Sequence, residues 1–401
     1  MLIQRTWYLN RMIAFKDKRI IKILTGIRRC GKTVFLKIYQ DRLREYGIRE
    51  EQIISINFED IDNEELTDLK KLTEYLEEHL VKEEMNYVFL DEVYLADGFP
   101  KIIDLLYHRK NVDIYVTGSN KYLFSEEAFS VISGRYVQIN MFPYSFKEYM
   151  ESTGSMIDRG VKYAGYIKYS SFPYAAELKG QQHEIRDYLD SIYNTIVVKD
   201  IVSQKKITDT ILLKKVLRFL YCQIGNTLSP KKISDLMTAE GNKIDVKTVE
   251  KYLKALSENY IIYQVKRYNI KDKQYLKTLE KYYIADVGMR FMLVGSKQSD
   301  LNCVLENMIY LELLRRGFDV YVGKTDAYEV DFVAQKNRGI IYYQAAWSIR
   351  DKKLLEKELK PLQSIHDHFP KVILTLDDDP EVQYDGIRCI NARDWLLGLA
   401  D

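Results

Sequence analysis

The sequence holds only four cysteines, Cys30, Cys222, Cys303 and Cys389, far apart and without a CxxC spacing. That leaves no pattern for a disulfide framework or a zinc knuckle and fits a reducing cytoplasm. An excess of one charge sign is also missing. The 60 basic and 58 acidic residues give a formal net charge of +2, which rules out a chain-wide polycation and leaves room for a local basic face. No apolar run approaches the roughly 20 residues of a membrane span, so no membrane partner is expected. The N-terminal MLIQRTWYLNRMIAFKDKR has neither an unbroken apolar core nor a small-residue cleavage site. A secretory leader is therefore not expected, and the cytoplasm is the expected compartment. What is present is ordinary globular composition, 46% hydrophobic and 29% charged. A chain of 401 residues is long for one core and predicts two or three domains. The 32 tyrosines are scattered at helical and strand spacings, which reads as packing with a solvated hydroxyl.

The first third carries a motif with its context. IIKILTG (20–26) is a short β-rich run, GIRRCGKT follows at 26–33, and Val34, Phe35, Ile38, Tyr39 and Leu43 then recur at helical spacing. Strand, GxxxxGK[ST] and helix together make a P-loop. Gly26 and Gly31 let the backbone turn its N–H groups toward phosphate oxygens, and the helix N-terminus adds its positive end. Lys32 is expected to reach the outer phosphates of ATP and Thr33 to ligate Mg²⁺. Arg28, Arg29 and Cys30 inside the loop, and Val34 just after it, complete the expected cradle. YVFL (87–90) runs into Asp91 and Glu92. Asp91 is expected to hold the Mg²⁺ hydration shell, and Glu92 to orient or deprotonate the attacking water. VDIYVTGSN (112–120) is a further strand ending in polar residues, and Ser119 or Asn120 would be the sensor beside the γ-phosphate.

GIRRCGKT, FLDEV, VTGSN and SGRYVQINMFPYSFKEY together resemble the prokaryotic AAA-type ATP-binding proteins with a C-terminal nuclease-like domain of unknown function. The resemblance implies a parallel sheet with the P-loop strand beside the acid-bearing strand. It also implies a finger or sensor role for Arg135, against which stands a plain surface ion pair. A finger supplied by a neighbouring copy would make a homo-oligomer the working form. Tyr94 stands where relatives often carry glutamine, which bears on how hydrolysis is gated.

Residues 144–207 read as a helical lid region, with Pro173 stopping a helix and Ile185, Leu189, Ile192, Ile196 and Val197 on one face. Residues 208–275 read as a winged helix-turn-helix: three helices, with Ser229 and Asp245 as caps and Pro230 in a first turn, then a strand. In a DNA-binding role Lys247, Lys251 and Lys254 would lie near phosphates, although Glu250 and Glu258 make that helix mixed in charge. A module that only packs is the competing reading.

Residues 276–401 present a helix (304–317), strands DVYVG, EVDFVAQ and IIYYQAAWSI, and a helix at 351–366, which resembles the restriction-endonuclease-like core. Glu306, Glu329 and Asp331 keep the acidic half of that site. Gln344 replaces the second acid ligand and Ala346 the lysine. Arg350 is about 13 Å further along an extended strand, so nothing nearby in the sequence supplies the missing cation. The expectation is a degenerate, non-cleaving site. His366 and His368 lack a third ligand and read as loop residues.

The expected fold is therefore α/β: a P-loop NTPase parallel sheet over 1–143, the lid, the winged helix, and the restriction-endonuclease-like α/β domain. The expected function is a slow Mg²⁺-dependent ATPase whose nucleotide cycle acts on a protein or nucleic acid. A DNA-binding regulator with ATP as ligand and an ATP-driven nuclease are the alternatives.

Overall fold

The computed structural model describes residues 3–120, 132–154, 158–202, 207–295, 297, 300–337 and 339–400. By compactness they fall into two units. The first comprises the chain up to Pro143 together with Glu258–Tyr260, and the second Tyr144–Ser257 with Ile261–Asp401.

The first unit is built on five parallel strands: β1 (Ile21–Thr25), β2 (Ile53–Asn57), β3 (Asn86–Asp91), β4 (Val112–Gly118) and β5 (Tyr136–Asn140). Their order is β2-β3-β4-β1-β5. β1 and β3 are buried along their whole lengths, as strands covered on both faces must be, which is why they read as near-continuous apolar runs. On one face Ile21, Ile23, Val88, Leu90, Ile114 and Val116 pack with Leu72, Leu76, Ile102, Ile103 and Leu106. Each such burial contributes on the order of 1.5–3 kcal/mol. The helices bearing these leucines and isoleucines are Leu69–His79 and Phe99–His108, the former capped by Asp68 on Lys70 N and Lys71 N.

Several tyrosines of this unit depart from the solvated-hydroxyl expectation. Tyr39, Tyr87 and Tyr115 are buried. The Tyr39 and Tyr115 hydroxyls meet at 2.9 Å, Tyr115 donates to Asp113 Oδ2 at 2.7 Å, and Tyr87 donates to Asp17 Oδ1 at 2.7 Å. Asp113 in turn pairs with the buried Lys22 of β1. A buried phenol or ammonium must find a partner, and this network ties β1 to its neighbour β4.

The second unit holds a nine-stranded mixed sheet, ordered β13-β14-β12-β11-β10-β9-β7-β8-β6. Its strands are β6 (Thr227–Leu228), β7 (Ile262–Asn269), β8 (Gln274–Ile284), β9 (Asp319–Lys324), β10 (Glu329–Lys336), β11 (Gly339–Ala346), β12 (Lys371–Thr375), β13 (Val382–Tyr384) and β14 (Ile387–Asn391). Helix Leu301–Arg315 is buried around most of its circumference. The division expected at 275/276 falls inside β8. The β7–β8 hairpin is not a free wing, because Arg267–Asn269 of β7 pairs in parallel with Val322–Lys324 of β9. Pro173 opens the short helix Pro173–Glu177 at its first position, where a missing N–H costs nothing. Ser229 caps Pro230–Ala239 through Lys232 N, as expected. Among the described residues no helix is long and apolar enough to cross a membrane.

Candidate functional site

At the C-terminal end of β1 the chain turns through Gly26–Gly31 into helix Lys32–Glu45. Gly26 has φ +155°, and a Cβ there would sit 2.1 Å from the Met141 carbonyl oxygen. Only glycine fits. Gly31 takes φ +101° and offers the helix no side-chain cap, so the first N–H groups of the helix are left for a ligand.

Lys32 is buried, at 4% exposure. Its Nζ lies 3.0 Å from Ser119 Oγ, 3.2 Å from the Gly26 carbonyl and 3.1 Å from Glu92 Oε1. Ser119 Oγ donates to both Glu92 carboxylate oxygens, at 2.7 and 2.9 Å. Burial alone would raise the Glu92 carboxyl, but Lys32 and Ser119 outweigh it and hold Glu92 below the ordinary range. Burial likewise works against the Lys32 charge, and Glu92 more than restores it. Glu92 also sits at φ +52°, a left-handed conformation costly for a non-glycine residue and often found where a side chain is held for function. Its backbone N–H donates to Thr117 Oγ1 at 2.8 Å.

Asp91 is next to it. Thr117 donates to Asp91 Oδ1, whereas Oδ2 is buried and completes no hydrogen bond among the described residues. Burial pushes the Asp91 carboxyl up, against Thr117 and Thr33. An acid with an orphaned buried oxygen, acted on by Thr33 from the first helical turn, has the donor chemistry of a hard cation such as Mg²⁺. The fit to Mg²⁺ is good.

The remaining loop residues divide. Arg28 pairs with Glu59, and Arg29 is exposed at φ +68°. Cys30 is fully buried and burial pushes its thiol up, so it acts as a small filler. Val34 is 49% exposed. Of the two sensor candidates, Ser119 joins the Lys32–Glu92 cluster, while Asn120 Nδ2 donates to Asn259 Oδ1 at 3.2 Å. Arg135 is not drawn into the cluster. It pairs with Asp104 at 3.2 Å and lies 5.2 Å over the Tyr107 ring, both on helix Phe99–His108, which is the surface ion-pair alternative.

Sequence reading missed Arg5. Its guanidinium donates to the Cys30 carbonyl at 2.9 Å and the Phe142 carbonyl at 2.7 Å, clamping the loop from 25 residues upstream. No local pattern signals it.

In the second unit Glu306, Glu329 and Asp331 do come together, but around a lysine. Lys281 Nζ of β8 is 2.8 Å from Glu306, 3.0 Å from Glu329 and 3.5 Å from Asp331. The cation among these acids comes from a strand about 50 residues before Asp331, outside the stretch of sequence in which none was found. Tyr283 donates to Glu306 Oε1 at 2.5 Å. Gln344 does not face the lysine. Its Oε1 accepts from Asp331 N at 3.2 Å and its Nε2 donates to Glu358 at 2.9 Å. Arg350 is committed to Asp379 at 2.8 Å. A cavity of about 600 Å³ borders the cluster, lined in part by Glu329, Asp331, Gln344, Lys353, Lys357 and Glu358. Among the described residues no group of three or more His, Cys, Asp or Glu is arranged to hold a metal ion. His366 and His368 are exposed.

Residues 18–150 match the model of an AAA domain, and residues 161–300 that of a domain of unknown function. The chain is 37% identical over 402 residues to an uncharacterized protein of Haemophilus influenzae, covering 99% of each. It is 29% identical to an uncharacterized protein of Methanocaldococcus jannaschii over 89% of this chain and 85% of that one. The Walker-type ATPase of Pyrococcus abyssi superposes with a TM-score of 0.49 at 15% identity, over 73% of this chain and 95% of that one. With its P-loop sheet and its near full-length match, the chain belongs to the family of the Haemophilus influenzae protein, and residues 18–150 are its AAA domain.

Proposed function

We propose that the AAA domain binds ATP with Mg²⁺ and hydrolyses it slowly, and that the cycle acts on a protein or nucleic-acid target. The observation that carries this reading is the buried Lys32–Ser119–Glu92 cluster beside the Asp91 oxygen that completes no hydrogen bond among the described residues. Thr33 and Asp91 would hold the metal, which would neutralise charge on the phosphates. Lys32 would serve the phosphates, and the first N–H groups of helix Lys32–Glu45 would receive their oxygens. Glu92 is held as an ion by Lys32, which makes it a weak base. A phosphate that competes for Lys32 removes that counter-charge, raises the basicity of Glu92 and so couples substrate arrival to base activation. Arg135 remains a finger only for a neighbouring copy, since within the chain it is paired with Asp104.

Lys32→Ala is the direct test. Titration calorimetry with Mg²⁺ and ATP is expected to show saturable binding by the wild type and a loss of at least about a hundredfold in the variant, several charge-assisted bonds being removed at once. Binding unchanged in Lys32→Ala would overturn the site.

For the second unit we infer a winged-helix-like helical trio that packs rather than reads DNA, its β7–β8 hairpin absorbed into the nine-stranded sheet, and a restriction-endonuclease-like remnant whose acids are gathered around Lys281. The ammonium stands among the carboxylates that a metal would need. Supercoiled and linear DNA incubated with the protein and Mg²⁺ or Mn²⁺ are expected to stay intact. Cleavage that disappears in Asp331→Ala would show a live nuclease instead.

A further inference from the structure

Two residues from far along the chain belong to the unit that carries the P-loop. Asn259 and Tyr260 directly follow helix Val246–Glu258, yet with Glu258 they are part of the first unit. Both are buried, at 2% and 4% exposure. Asn259 Oδ1 accepts from Asn120 Nδ2 at 3.2 Å, one residue beyond the Ser119 that holds Lys32 and Glu92. The Tyr260 hydroxyl accepts from Gln138 Nε2 at 3.1 Å, and the same amide donates to Thr25 Oγ1 at 2.9 Å, one residue before Gly26. Asn259 therefore touches the residue that leaves β4, and Tyr260 touches Gln138 of β5, whose amide reaches the end of β1, the strand from which the loop emerges. In open α/β sheets that edge is where ligands bind.

The backbone points the same way. Ile261 N–H bonds to the Leu256 carbonyl at 3.0 Å, the six-to-one closure of a Schellman cap, which places Tyr260 at the left-handed position where glycine is usual. Its φ is +57°. A tyrosine there carries a conformational cost that glycine would not. What the tyrosine adds is a hydroxyl set against Gln138 and the P-loop strand. Burial pushes that phenol up to about 12, so it remains a protonated donor at neutral pH.

We propose that Asn259 and Tyr260 are positioning residues of the nucleotide site, which sense the γ-phosphate through Ser119–Asn120 and Thr25–Gly26 and pass its presence to helix Val246–Glu258. This rests on the reading that the AAA domain binds ATP. Occupation of Lys32 and Ser119 by a phosphate alters the two strand ends that Asn259, and Tyr260 through Gln138, hold, and their helix is the covalent continuation of that contact. ADP, lacking the γ-phosphate, leaves Ser119 on Lys32 and Glu92.

The test measures ATP and ADP affinities and hydrogen exchange over 246–258 for the full chain, for Asn259→Ala and for Tyr260→Phe, which keeps the ring and deletes only the hydroxyl. In the wild type, ATP but not ADP is expected to change exchange in that helix. In both variants that difference is expected to vanish, and the ATP-to-ADP affinity ratio to shift by about fivefold to tenfold, the scale of ordinary coupling between sites. A change in thermal midpoint alone, with ratio and exchange as in wild type, means a packing role and overturns the proposal. Wild type that fails to bind ATP, or Lys32→Ala that binds normally, removes the nucleotide reading and this inference with it. Loss of ATP binding in Lys32→Ala, with both distal variants indistinguishable from wild type in exchange and affinity ratio, overturns this inference alone.

Discussion

Glu92→Gln is expected to bind Mg²⁺ and ATP and to release phosphate at less than about one-hundredth of the wild-type rate, the low end of what a positioned general base contributes. The amide keeps the size of the carboxylate and its bond from Ser119 Oγ, but it accepts no proton. It also removes the counter-charge 3.1 Å from Lys32. Two further results follow. Without nucleotide, the variant buries an unpaired ammonium, so its thermal midpoint falls. With nucleotide, Lys32 no longer has to leave a carboxylate, so ATP binds more tightly and stabilises the variant more than the wild type. The pH response has a fixed sign. Glu92 is held below its ordinary value in the fold, so its stabilising contribution is present above the unfolded pKa near 4.5 and is lost as pH falls through the folded value. In Glu92→Gln that acid-side loss disappears. Undiminished phosphate release in a steady-state assay would remove Glu92 from the base role.

Much of this site was legible in sequence because its parts are local. Gly26, Gly31, Lys32 and Thr33 lie within eight consecutive residues, and a strand that runs into Asp91 and Glu92 declares itself by an apolar run meeting two acids. Ser119 needed only the end of the next strand. The choice between Ser119 and Asn120 depended on how the chain leaves β4, which no spacing reveals. Arg5, Asn259, Tyr260 and Lys281 were invisible for one shared reason: each reaches its site through tertiary contact, from a segment whose local pattern speaks only of helix or strand. Arg135 was read through its place in a motif, while its partners Asp104 and Tyr107 sit on a helix about 30 residues earlier. The 275/276 division failed for a related cause. A hairpin alternates in the same way whether its edge is free or paired, and the pairing of Arg267–Asn269 lies more than 50 residues ahead.

Lys281→Met should be the most damaging single change in the second unit. Methionine fills similar volume but leaves Glu306 and Asp331, both nearly fully buried, without the ammonium 2.8 and 3.5 Å away. Breaking one side of a buried ion cluster costs on the order of 3–5 kcal/mol, a large share of the stability of an ordinary domain. Glu329, about a third exposed, adds little to that sum because water screens it. The wild-type signs are set by the cluster. Burial, with Asp331 beside it, pushes Glu306 up to about 7 despite Lys281 and Tyr283, so this group favours the folded state below pH 4.5 and that favour is lost as pH rises through 7. Lys281 is itself raised: burial opposes its charge and the three acids more than compensate. Its contribution therefore persists through neutral pH. Deleting it should push both buried carboxyls further up, and the variant should recover as they protonate. Urea unfolding is thus expected to show the full loss at pH 8 and much of it regained near pH 5. Adding Glu306→Gln to Lys281→Met should restore part of the loss at pH 8, since it removes one of the stranded charges, and the coupling between the two changes should exceed about 0.5 kcal/mol. An equal loss at both pH values, or no coupling in the double variant, would mean that the lysine acts through packing and not as the resident cation of the acidic cluster.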